Sequence, residues 1–358
     1  MELLGPVLLI ANPGSRRGEV LRAKAMGAFR DAGVQCDVVV TEQAGHGARV
    51  AAERGSSYQA VFALGGDGTA VEVLGALANT DVLVGLLPGG TGNLVARSLG
   101  VPLSIELAVP ALLKGREARI DLGLLNGEQY FAFTAGIGID AAMVEATTAA
   151  LKRRYGVLAY IVAATRATLR QRTFHVRIEA DGQTIERDAS AVMVANFGTV
   201  LNDLIRIGPD IVADDGLLDL CIFSPDGIAE ALTVAWRLFR KDFSPHPAVQ
   251  YRRGARFAFD CTPAQAVQTD GELRGRTPVT IEVQPRAARV LSPKWFVAGG
   301  GKRESGIGNR ESDESKDRSP DVSNPDSRFP VSCLPPPANR LRLPRLSLPV
   351  ASCDFSRT

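Results

Sequence analysis

The sequence predicts an α/β protein: a doubly wound parallel-sheet domain, then an antiparallel β-sandwich domain, then a disordered tail. Three observations predict it. Within the first hundred residues, near-continuous apolar runs alternate with helical segments, the pattern of a parallel sheet covered on both faces. From about residue 116 the runs alternate in polarity and are divided by Asn-Gly and Asp-Gly pairs, as in hairpins. From about Gly299 the chain becomes polar, rich in Ser, Asp, Arg and Pro, and aperiodic. Such a composition buries too little apolar surface to offset its ordering entropy. The chain therefore divides at 1–118, 119–298 and 299–358.

Four strand-then-helix units fill the first division. PVLLIANP is a strand followed by a helix from Glu19 to Ala32. CDVVVT precedes a helix from His46 to Arg54. YQAVFAL precedes TAVEVLGALA, and VLVGLLP precedes NLVARSLG. In the second division two strands flank Asn126-Gly127, and a long helix is expected from Asp140 to about Arg172. TFHVRIEA and QTIERD flank Asp181-Gly182. AVMVANF, DGLLDLCIF, ARFAFDC, QAVQTDGEL and VTIEVQP supply further strands.

Composition excludes several classes. A length of 358 residues suits two domains. A net charge of +2 and 6% aromatics lack the basic, aromatic-interleaved stripe of a nucleic-acid binder. Cys36, Cys221, Cys261, Cys333 and Cys353 form no CxxC pair, so zinc and thioredoxin chemistry are not expected and reduced cysteines in a cytoplasmic protein are. MELLGPVLLIANPG lacks a basic leader and reads as a first strand, not a signal peptide. The run VLAYIVAAT is too short to span a bilayer, which leaves peripheral contact with a membrane surface.

The loops carry the chemistry. In a doubly wound sheet every strand-to-helix loop emerges at the carboxyl edge, where ligands bind. Here those loops hold Asn12, Gly14 and Ser15; Thr41; Gly65, Gly66, Asp67, Gly68 and Thr69; and Thr91 with Asn93. Glycines let backbone N–H groups approach an anion, and the following helix adds its positive end. These loops are expected to cradle phosphates at one rim, with hydroxyls and amides donating further bonds. Asp67 would repel phosphate unless a cation stood between them, so it is expected to be linked to Mg²⁺. No GxxxxGK[ST] occurs, which excludes a Walker loop. Gly136 and Gly138 match a dinucleotide fingerprint only superficially, outside a parallel repeat and without the following acid.

ANPGSRRG, LGGDGT and LLPGGTGNLVAR, in this order, resemble the diacylglycerol kinase catalytic-domain family, which includes bacterial lipid kinases and, more distantly, sphingosine and ceramide kinases. GGDGT alone is shared with NAD kinases and phosphofructokinases. The run from Pro88 to Arg97 is more specific. The resemblance continues through IDLG, GIGID, KRRYGVLAY, DDGLLDL and TDGE, covering about residues 5 to 297.

The resemblance implies ATP-dependent transfer of the γ-phosphoryl group to a lipid hydroxyl, in a cleft between a nucleotide-binding domain and a β-sandwich. It places the catalytic base at the turn Asp270-Gly271-Glu272, with Glu272 favoured and Asp270 close behind. It implies a structural Mg²⁺ site held by the Asp215 side chain and the carbonyls of Val212 and Leu217, and lets Asp121 join the metal network of Asp67. It places Arg153, in the cluster Lys152–Arg154, near nucleotide phosphates. Trp236, Arg237, Phe239, Arg240, Lys241 and Phe243 form a basic-aromatic patch, read either as an anionic-headgroup contact or as a helix with its aromatic side in the core.

Two departures stand out. Leu94 occupies a position where many bacterial members carry Asp, and LNDLIRIGPD replaces a glycine-rich run near the expected acceptor site. The rivals are an NAD kinase or other soluble-alcohol kinase, and a nucleotide-binding regulator without turnover. The expected location is the cytoplasm, at the inner face of the membrane.

Overall fold

A computed structural model describes residues 5–14, 18–138, 173–200 and 205–296. Ser15, Arg153 and its neighbours Lys152 and Arg154, the expected helix from Asp140, and the expected tail from 299 lie outside the described residues. Those described belong to one compact unit, Met1–Ser305.

The first half follows the alternation of the sequence. Strands β1 (Val7–Ala11), β2 (Cys36–Val40), β3 (Ala60–Gly65) and β4 (Leu83–Pro88) alternate with helices α1 (Gly18–Asp31), α2 (His46–Arg54), α3 (Asp67–Ala76) and α4 (Leu94–Ser98). The strands are parallel in the order β2-β1-β3-β4. Every residue of β1 and β4 is buried, which is why they read as unbroken apolar runs. The register pairs Ala11 with Val40 and with Leu64, and Gly65 with Pro88. The carboxyl ends are therefore level, and their loops share one edge.

Helix α5 (Ile105–Leu113) was not legible in the sequence because Pro110 interrupts it. It nevertheless buries Ile105, Ala108, Val109 and Leu112, one stripe at helical spacing.

The second half contains β5 (Arg116–Leu125), β6 (Gln129–Phe131), β7 (Thr134–Ile137), β8 (Phe174–Ala180), β9 (Gln183–Ala189) and β10 (Ala191–Ala195). The short pair β11 (Thr199–Val200) and β12 (Ile205–Arg206) follows, then β13 (Leu218–Phe223) and helix α6 (Gly227–Arg240). The chain continues through β14 (Val249–Gly254), β15 (Arg256–Thr262), β16 (Ala266–Thr269), β17 (Glu272–Arg276) and β18 (Val279–Ser292). Asn126-Gly127, Asp181-Gly182 and Asp270-Gly271 have positive φ at both positions, the tight hairpin turn expected of such pairs.

One feature was not expected. The long β18 pairs with β15 and β5 and then, beyond a register shift between Gln284 and Ala288, runs parallel to β4 through Arg289–Leu83 and Val290–Val84. The parallel sheet thus continues into the antiparallel half as one ten-stranded sheet. A separate six-stranded sheet, β14-β13-β10-β7-β16-β17, faces its antiparallel part. Phe131, Phe257, Phe259 and Ile281 from the first sheet pack with Val192, Val194, Leu220 and Ile222 from the second in one buried cluster. Strand β18 thereby joins the second half to the first along the open side of β4, at the start of that strand.

Candidate active site

The two glycine loops meet backbone to backbone. Gly89 N–H donates to the Gly65 carbonyl at 2.8 Å, and a Cβ on Gly90 would come within 2.6 Å of Gly66 Cα, so no side chain fits there. Gly66 begins α3 in extended conformation without a side-chain cap, leaving the positive end of that helix at the rim. Asn12 Nδ2 donates to Thr69 Oγ1 at 3.0 Å, and Asn12 Oδ1 accepts from Gly14 N–H at 2.9 Å, which joins the first loop to the third. Thr41 is buried, its N–H bonded to the Ala11 carbonyl. Thr91 is exposed at its loop tip. Asn93, at φ 51°, folds its amide back onto Gly90, accepting at 2.9 Å and donating at 2.8 Å. Asn12, Thr69 and Asn93 thus shape the loops.

Asp67 acquires a partner the sequence did not suggest. Its Oδ1 accepts the N–H groups of Leu94 at 2.5 Å and Val95 at 3.4 Å, capping α4. Its Oδ2 lies over Gly92, 2.6 Å from where a Cβ would stand. Burial pushes its carboxyl above the usual range, and the backbone bonds oppose that shift. Leu94 contributes its N–H to this carboxylate while its side chain packs on the core. Arg97 Nε holds the Gly92 carbonyl at 2.9 Å, a role read from no motif beforehand.

The turn after β16 brings acids from the second half to this rim. Asp270 accepts three backbone N–H groups, from Ala132 at 2.8 Å and from Phe133 and Thr134 at 2.9 Å each. Burial raises its carboxyl to about 6, with those bonds opposing and the charge of Asp67 adding to the rise. Glu272 is exposed. Its Oε2 is held by Arg274 Nη2 at 2.7 Å, and its Oε1 lies 3.1 Å from the position of a Cβ on Gly68. Arg274 Nε also reaches Thr269 Oγ1 at 3.1 Å. The turn and the third loop therefore touch, Glu272 meeting Gly68 at the start of α3. A carboxylate oxygen such as those of Asp67 suits a hard cation and would repel a phosphate unless such a cation stood between them.

The loop before β13 is built differently. Asp215 Oδ1 accepts the Leu217 N–H at 3.0 Å, and its Oδ2 pairs with Arg253. Arg253 Nε also stands 3.4 Å from Asp219 Oδ1. Asp219 is buried, its Oδ2 lacks a hydrogen-bond partner, and burial raises its carboxyl to about 7. Arg253 thus shares Asp215 with the Mg²⁺ expected from Val212, Asp215 and Leu217, in a loop that also holds Asp214 and the unpartnered Asp219 oxygen. Asp121 belongs to this loop: its Oδ2 accepts Gly216 N–H at 2.7 Å and its Oδ1 accepts Arg286 N–H at 2.6 Å. Among the described residues no group of three or more His, Cys, Asp or Glu is arranged to hold a metal.

A surface groove lined by Asn126, Arg177, Glu179 and Asp260 lies on the second half and shares no residue with the glycine loops.

A glycine-cradled carboxyl edge faced by acids from a β-sandwich defines a class, the two-lobed kinases that act on alcohols. Comparison with known proteins gives the family. Residues 6–125 match the diacylglycerol kinase catalytic domain, and residues 134–292 match the YegS C-terminal NAD kinase beta sandwich-like domain. A diacylglycerol kinase of Bacillus subtilis is 30% identical over 295 residues, 80% of this chain and 96% of that protein. An uncharacterized Synechocystis protein is 32% identical over 237 residues, 65% of this chain and 54% of that protein. A crystal structure of a Bacillus anthracis protein assigned as a diacylglycerol kinase superposes with a TM-score of 0.71 at 25% identity, covering 83% of this chain and 98% of that one. The chain belongs to the diacylglycerol kinase catalytic-domain family and is an enzyme of the lipid-kinase class.

Proposed function

We propose that this enzyme transfers the γ-phosphoryl group of ATP to the hydroxyl of a lipid, diacylglycerol-like or sphingoid- and ceramide-like, in the cleft between its two halves. One observation carries the reading. Glu272, from the second half, stands against Gly68 at the start of α3, where a phosphate drawn by the helix end would lie.

In this reading Gly65, Gly66, Gly68 and Thr69 hold the phosphates, helped by Asn12, Gly14, Thr41, Thr91 and Asn93. Glu272 takes the proton of the acceptor hydroxyl, held in orientation by Arg274. As the acceptor oxygen bonds the γ-phosphorus, the bond to the β–γ bridging oxygen breaks and ADP leaves. Asp270 fixes the backbone at 132–134 and so positions the turn that carries Glu272. Asp67 would hold Mg²⁺, which neutralises charge on the phosphate oxygens when bound. The run from Pro88 to Arg97 favours this reading over a soluble-alcohol kinase. The enzyme would work in the cytoplasm at the inner face of the membrane.

The test is labelled ATP with Mg²⁺, offered a total lipid extract in micelles or NAD, with mass identification of products. Label in a phosphorylated lipid supports the proposal. Label only in NAD, or ATP binding without transfer to any lipid, overturns it.

A further inference from the structure

Helix α6 turns its aromatic side outward. Ile228, Leu232 and Trp236 recur every four residues and are 54%, 47% and 59% exposed, whereas Ala231 and Val234 on the opposite side are buried. Phe239 stacks on Trp236 with ring centroids 5.6 Å apart, extending the apolar stripe. The charges are divided along the axis. Asp226 and Glu230 stand at the first turn, while Arg240 and Lys241 end the helix, the Arg240 guanidinium lying 6.0 Å from the Trp236 ring centre. A soluble surface seldom exposes three large apolar residues, one of them a tryptophan, on one open helix face without a partner.

A chain of contacts also links the helix to the candidate site. It packs against β12, and that segment bonds back to Gly198 through Ile207 N–H. The neighbouring Phe197 stacks on Phe133, whose N–H holds Asp270.

We infer that the exposed face of α6 docks the enzyme on an anionic lipid bilayer, with Leu232 and Trp236 among the acyl chains and Arg240 and Lys241 at the headgroups. Apolar residues flanked by an interfacial tryptophan and basic side chains are the chemistry of a helix lying in a membrane interface. Among the described residues no helix is long and apolar enough to cross a membrane, so attachment by a face is what α6 offers. This rests on the lipid-kinase reading, since a substrate held in a bilayer must be reached from its surface.

The test uses the full chain with Trp295→Phe, which leaves Trp236 as the one tryptophan, and no ATP. Vesicles of phosphatidylcholine, alone or mixed with phosphatidylglycerol, are added. The account expects a blue shift of Trp236 emission, quenching by brominated acyl chains, and stronger binding with phosphatidylglycerol. Leu232→Glu and Trp236→Ala, each with an unchanged melting temperature, should reduce co-sedimentation with vesicles by roughly tenfold. Unquenched Trp236, or wild-type sedimentation of Leu232→Glu, overturns the inference. So does a Leu232→Glu protein that sediments normally with vesicles but loses self-association, which assigns the face to a second copy. Vesicle binding through α6 without phosphoryl transfer would sink the kinase reading alone. Transfer to micellar lipid with wild-type sedimentation of Leu232→Glu would sink the docking face alone.

Discussion

Glu272 Oε1 and Gly68 are close enough that a single added methyl group would stand 3.1 Å from the carboxylate oxygen. The two residues belong to different halves of the chain, and their contact is where the helix end proposed to bind phosphate meets a candidate base. Gly68→Ala therefore separates fold from function. Alanine favours a helix over glycine by about 1 kcal/mol, so the melting temperature should hold or rise. The intruding methyl displaces the end of a flexible side chain, and kcat should fall by roughly tenfold to a hundredfold. A variant with both properties wild-type would refute the placement.

Asp67 has two separable jobs. As the cap of α4 it accepts the Leu94 N–H closely and the Val95 N–H at 3.4 Å, bonds whose gain is largely offset by burial of the carboxylate. As a carboxylate at the rim it would hold the metal. Asp67→Asn keeps an acceptor oxygen and should lose about 1 kcal/mol of stability or less, yet turnover should drop by roughly a hundredfold or more. Asp67→Ala should lose both stability and turnover. Chemical denaturation alongside initial rates distinguishes the two losses.

Asp270 gives a pH dependence with a defined sign. Its carboxyl is raised in the folded protein from 3.8 to about 6, so the folded state holds this proton more tightly than the unfolded chain. Its contribution is most favourable at low pH, declines as pH rises between about 4 and about 6, and is constant above. Asp270→Asn removes that titration and leaves an amide where three N–H groups need acceptors. The stability of wild type relative to this variant should decline across that window and then level off. A difference that rises with pH there would contradict the burial argument.

Arg253 stands where the family resemblance suggested a cation. It spans Asp215 and the buried Asp219, and removing it strands a buried carboxylate. Arg253→Met should cost roughly 1–3 kcal/mol, reduced from a fully buried pair by the exposure of the guanidinium. The wild-type melting temperature should not respond to EDTA, whereas millimolar Mg²⁺ should partly restore the variant. A wild-type melt that drops in EDTA would place a divalent ion in this loop beside Arg253.

The parallel half was legible because its strands are buried on both faces and its loops carry unbroken glycine motifs, so residues 64–69 and 88–97 marked both an edge and the family. The hairpins were legible because Asn126-Gly127, Asp181-Gly182 and Asp270-Gly271 demand positive φ at consecutive positions. What sequence reasoning missed depends on contacts distant along the chain. Nothing local says that Asp67 caps the helix beginning at Leu94, that Asp270 collects the N–H groups of residues 132–134, or that Arg253 stands opposite Asp219 on the neighbouring strand. The crossing of β18 to β4 was hidden too, because its apolar run reads as an ordinary sandwich strand. On α6, identical residue types fit an inward or an outward aromatic face, and only exposure decided between them.

The most direct measurement is single-turnover transfer from labelled ATP to micellar lipid by wild type and Glu272→Gln, run at matched ATP occupancy. The account predicts that the glutamine protein binds ATP as tightly as wild type and transfers phosphate at least a hundredfold more slowly. Equal transfer rates would mean that no base stands at Glu272, and the cleft between Gly68 and this turn would lose its chemical role.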